Sequence, residues 1–142
     1  MGEQYTPTLA LTVKSGGVIT RRRFVGFDKI QVAVAGKQAF GVAQQDAVLD
    51  DLLPVTVLGS AIIEAGGVIA VGDSLAADAQ GRAVVAANLV ATVDAGVTAV
   101  TSSAVNGAII TLAGSVRPEK INAIAMEAAG AAGDMIEVLL VK

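Results

Sequence analysis

The chain is written in short apolar runs, many alternating with period two, each stopped by glycine or a small polar turn. In Thr8-Leu9-Ala10-Leu11-Thr12-Val13 the alternation puts Leu9, Leu11 and Val13 on one face, as a pleated strand does. Ser15-Gly16-Gly17 then reads as a turn. The spacing predicts strands over 18–27, 29–34 and 40–43, then over 54–59, 61–65 and 68–71. Gly72-Asp73 and Asp78-Ala79-Gln80-Gly81 are turns, with short segments at 74–76 and 82–86 on either side of the second. Several short strands with frequent turns predict an all-β fold, a compact barrel or sandwich with little helix.

Two stretches are less direct. Residues 88–116 carry few charges and read as an extended loop or an inserted hairpin, with strand-like runs at 88–93 and 108–112. Pro118-Glu119-Lys120 suits a first helical turn, and the Ala, Met and Glu of 123–129 favour helix. That run is short, and Gly130 and Gly133 close it, so strand, glycine turn and final strand (135–141) is the preferred reading. The strand–loop–strand unit of 40–57 is echoed by 123–139.

A length of 142 residues predicts one domain. Residues 1–14 read as an extended N-terminal arm, and 15–142 as a single β-rich domain containing the 88–116 hairpin or loop. The chain is 54% hydrophobic but only 3% aromatic, and much of the apolar content is alanine. Small side chains bury little area each, at about 25 cal/mol per Å². A monomer core is therefore thin, and an oligomer or assembly component is expected.

The same composition bears on chemistry. Histidine, cysteine and tryptophan are absent, and with them the usual carriers of acid–base, thiol and metal chemistry. Asp46, Asp50 and Asp51 fall in a polar loop and read as a solvated turn. Ser102 and Ser103 have no histidine to activate them, and no Ser-x-x-Lys spacing occurs. The glycine pairs lack phosphate-loop or dinucleotide spacing. Lys29 as a modified carrier lysine is disfavoured, because Gly72-Asp73 lies too far along the chain. No catalytic, cofactor-binding or metal-binding residue is expected, and no small-molecule substrate. A net charge of −3 without a basic field argues against nucleic acid. The apolar runs are broken before membrane-spanning length, and the polar start Met1-Gly2-Glu3-Gln4-Tyr5 has no apolar signal core. Thr6 completes a myristoylation-like pattern that reads as chance. Arg21-Arg22-Arg23 is the dense positive cluster, read as a solvated face or a contact for an acidic protein surface.

In order, Ser15-Gly16-Gly17-Val18-Ile19-Thr20-Arg21 and Arg23-Phe24-Val25-Gly26-Phe27-Asp28 are followed by Gly41-Val42-Ala43-Gln44. Then come Val55-Thr56-Val57-Leu58-Gly59, Glu64-Ala65-Gly66-Gly67, Gly72-Asp73 and Asp78-Ala79-Gln80-Gly81-Arg82. The ending runs from Ala123-Ile124-Ala125-Met126 through Gly133-Asp134 to Val138-Leu139-Leu140. This series resembles phage capsid cement (head decoration) proteins over about 15–87 and 118–142. The resemblance implies a β-barrel-like domain on the outer surface of an assembled phage head, commonly a homotrimer on the major capsid protein. It implies reinforcement of the shell, a virion location after synthesis in the bacterial host cytoplasm, and no reaction or cofactor. A head-fibre base or tail component is the alternative. Tyr5, Thr6, Leu9, Leu11, Arg21, Arg22 and Arg23 are the expected capsid or subunit contacts, with the arm pairing onto a neighbour's strand edge.

Overall fold

The computed structural model describes residues 6–87 and 119–142. These residues form eight strands and, among the described residues, no helix: β1 Pro7–Lys14, β2 Phe24–Gly26, β3 Ala39–Ala43, β4 Leu52–Glu64, β5 Ser74–Ala77, β6 Ala83–Val85, β7 Ala123–Ala125 and β8 Met135–Leu140. All ladders are antiparallel, and the sheet runs β2-β3-β4-β8-β7-β5-β6 with β1 also on β4. β4 is the spine. Its first half pairs with β1 and β3, its second half with β8.

The two ends of that path meet, so the sheet closes almost into a barrel. Phe24 of β2 donates its N–H to the carbonyl of Gly81, just before β6, at 2.7 Å. Ala65, just after β4, forms a bridge with Ala83 of β6. Gly81 is required at this seam: its φ is +75°, and a Cβ would lie 3.2 Å from the Phe24 carbonyl oxygen.

The echo between 40–57 and 123–139 extends to a duplication of the whole framework. In the first half, Ile19 and Ala47 exchange backbone hydrogen bonds; in the second, Ile69 and Ala129 do. Ser15 bonds Asp50 and Asp51 as Ala65 bonds Gly133 and Asp134. Val42 pairs with Phe24 and Thr56, and Ile124 pairs with Ser74 and Leu139. The cores repeat as well. Ile19, Val25, Ala43, Ala47, Leu53 and Val55 form one buried cluster, and their equivalents Ile69, Leu75, Ala125, Ala129, Ile136 and Val138 belong to the other. Eight of the seventeen residues in the larger cluster are alanine, so few large side chains carry the packing. Phe24 and Ile63 are its widest wholly buried members together with Ile69, Leu75 and Ile136.

Three expected strands differ from the observed structure. Residues 18–27 yield only β2, preceded by a ribbon with the single bridge Ile19–Ala47. The reason is local: Thr20 and Arg21 donate their N–H groups to the side chains of Gln31 and Asp46, and Arg22 turns at φ +61°. Residues 29–34 form no strand, because Lys29 turns at φ +62° and only Gln31 bridges back to Val25. Residues 68–71 contribute only the Ile69 bridge. Conversely, 54–59 and 61–65 join into the single strand β4, which ends at Glu64. Residues 7–14 of the expected arm are β1, laid on β4 of the same chain. The reading of 88–116 falls outside the described residues.

Candidate docking surface

β1 is held through one edge. It runs antiparallel to β4 with register shifts around Leu9, and seven of its eight residues are exposed. Leu11 lies opposite Val55, and Leu9 opposite Leu58; both leucines are 40% exposed. Thr6 is fixed at the strand's entrance, donating its N–H to Ser60 Oγ at 2.9 Å and accepting the Ser60 N–H at 3.1 Å. Tyr5 lies outside the described residues.

The arginine triplet divides. Arg23 turns inward and grips Glu64 with two hydrogen bonds, Nε at 3.0 Å and Nη2 at 2.7 Å to Oε2. Its Nη1 donates to the Gln80 carbonyl, so the side chain ties β2, β4 and the β5–β6 turn together. Both partners are largely shielded, with 19% and 16% of their side chains exposed. Planar guanidinium geometry suits this forked contact. Arg21 and Arg22 line a shallow depression together with Val42, Ala43, Gln44, Thr56, Ala61 and Ile62. Gln44 Nε2 donates to Thr56 Oγ1 on its wall. The structure thus brings Arg21 and Arg22 together, separates Arg23 from them, and leaves Leu9 and Leu11 on β1 outside that depression's lining.

A second shallow depression is lined by Val18, Ile19, Thr20, Asp46, Ala47, Val48 and Asp51. Val18 is 75% exposed, Val48 57% and Leu49 62%. No local pattern marked them as an exposed group, because Val18 fell in the expected strand 18–27 and Val48 and Leu49 in a loop read as polar. The acidic loop around them is indeed a turn in which carboxylates hold the backbone: Asp46 accepts the Arg21 N–H and Asp51 the Val48 N–H. Exposed large apolar side chains in such a group mark contact surfaces more often than catalytic ones.

A family model described as phage cement protein matches residues 3–140. The chain belongs to the phage cement protein family. Its members' role is structural, and the match supports a capsid-binding role in the virion for this chain. The cement protein also shares its fold with the head fibre N base of bacteriophage phi29. That likeness has a TM-score of 0.57 and 20% sequence identity over 94% of this chain and 93% of the other. No curated protein matches the cement protein.

Proposed function

We propose that this cement protein binds the outer face of the assembled head as a homotrimer on the major capsid protein and stiffens the shell, without catalysing a reaction. The observation that carries this reading is the family match across nearly the whole chain. The surface supports it. Leu9, Leu11, Val18, Val48 and Leu49 lie open to solvent on a barrel whose core is built largely from alanine. Many copies of a modest contact give a stable coat, because each bound copy of an oligomer raises the effective concentration of the next contact. Among the expected contact residues, Thr6, Leu9 and Leu11 offer the exposed β1 surface, with Tyr5 preceding it in sequence. Arg21 and Arg22 offer cationic groups, while Arg23 acts through the fold.

The test is titration of purified chain onto heads lacking it, read by sedimentation and by cryo-EM of the decorated shell. Saturation of the lattice at regular positions is expected. Occupancy of only a few sites per head would move the assignment to a head-fibre base, the reading that the shared phi29 fold favours. Replacing Leu9 and Leu11 together by serine should weaken decoration while leaving the melting curve in place. Undiminished decoration would remove β1 from the interface.

A further inference from the structure

The duplication supplies an internal control: wherever the halves share a backbone but not a side chain, the difference is not demanded by the fold. Three non-glycine residues among those described have left-handed backbones, Arg22 (φ +61°), Lys29 (φ +62°) and Asp50 (φ +71°). All three are in the first half, and each stands where the second half has a left-handed glycine: Gly72 (φ +88°), Gly81 (φ +75°) and Gly133 (φ +94°). The hydrogen bonds fix the equivalence. Arg22 donates to the Ala43 carbonyl as Gly72 does to that of Ala125; Lys29 to Gly26 as Gly81 to Asp78; Asp50 to Ser15 as Gly133 to Ala65. A side chain is disfavoured in this conformation and glycine is not. The first half therefore keeps three charged side chains where the framework favours none.

The adjoining loop shows the same contrast. Exposed Val48-Leu49 stands where the second half has Gly130-Ala131-Ala132. These features converge on the ribbon 15–22. Ser15 accepts the Asp50 N–H, Gly16 donates to the Lys29 carbonyl, and Val18 shares its depression with Val48. Strained and exposed residues gathered in one place point to function.

We propose that this loop face of the first half docks on the head shell; the inference rests on the reading given above. Charge sets the occupant. Arg21, Arg22 and Lys29 take part in no ion pair among the described residues. The carboxylates nearby are engaged: Asp50 with Lys14 at 2.9 Å, Asp46 and Asp51 with backbone N–H groups. The face has an apolar centre, Val18, Val48 and Leu49, and the unpaired Arg21 and Arg22 follow on the same ribbon, where they line the other depression. It fits an apolar patch on the shell protein rimmed by acidic side chains.

The experiment remakes the first half in the image of the second. Arg22→Gly and Lys29→Gly are combined with replacement of Val48-Leu49 by Gly-Ala-Ala in the full chain, and Val68→Ser in the second half is the control. Binding to heads purified without the chain is compared with that of the unaltered protein. The remade variant should melt no lower than the parent and bind about tenfold more weakly or worse. Val68→Ser should bind within about twofold of the parent. Arg22→Glu alone, which keeps the loop, should weaken binding most at low salt. Parent-like binding by both the remade variant and Arg22→Glu overturns the inference, as does an equal loss in Val68→Ser. A change confined to self-association of the free chain would make a second copy the occupant and also overturn it. Failure of the unaltered protein to bind heads sinks the proposed function instead.

Discussion

Arg22 and Arg23 are neighbours with opposite roles, and the backbone decides which is which. Arg23 precedes β2 and reaches Glu64, while Arg22 occupies a left-handed turn. Arg22→Gly should raise stability by about 0.5–1 kcal/mol, the left-handed penalty less the flexibility glycine adds to the unfolded chain. A denaturant midpoint shifted upward at constant slope would register it. At Asp28, the hydrogen bond from Lys37 holds the carboxyl below its ordinary value of 3.8. A depressed carboxylate contributes stability that is present above the unfolded value and lost as pH falls through the folded one. Both side chains are 40% exposed, so the contribution is small, about 0–1 kcal/mol. Lys37→Met should move the Asp28 titration up toward 3.8 in a carboxyl NMR experiment, with no effect on stability at neutral pH beyond that small amount.

At the scale of elements, β3 and β4 approach so closely at Gly41 that a methyl group would lie 2.3 Å from the Thr56 carbonyl oxygen and 2.7 Å from Val55 Cγ1. Neither neighbour is the loose end of a long side chain. Gly41→Ala should therefore cost about 1–3 kcal/mol, read as a lowered melting temperature. The second half has Ala123 at the equivalent place, fully buried, so the two ladders are repeated in register but not in spacing. The strands that alternated cleanly, β1 and the run that became β8, were legible from residues alone. The ribbons at 18–22 and 68–71 were not. Their β-branched residues look like strands, yet side-chain acceptors and single bridges replace a continuous ladder.

For the whole molecule, the duplication predicts where the chain tolerates change. The first half connects its hairpin to β3 through 33–38, whereas the second half reaches β7 from β6 only after 88–118. Ala87 donates its N–H to Glu119 Oε2 at 2.7 Å, so the described chain leaves and returns at adjacent points. Replacing 88–118 by a short Gly-Ser linker should keep a folded barrel with a single cooperative melt, since closing a short loop between near ends costs little. Circular dichroism of that variant should retain the β signature; a loss of cooperativity would show that the barrel needs the segment.

By itself, the sequence determined what short-range physics controls: the all-β class, the alternating faces of the longer strands, the glycine and aspartate turns, and the family resemblance carried by their order. The echo between 40–57 and 123–139 was legible for the same reason. Only the tertiary structure decided which distant segments meet. It closed the sheet between Phe24 and Gly81, joined two expected strands into the one spine β4, extended the echo into two halves with matching backbone hydrogen bonds and turned Arg23 inward. Those outcomes depend on hydrogen bonds between residues far apart in the chain, whose register no local pattern encodes. Arg22, Lys29 and Asp50 became conspicuous only when each was seen to hold a glycine's backbone.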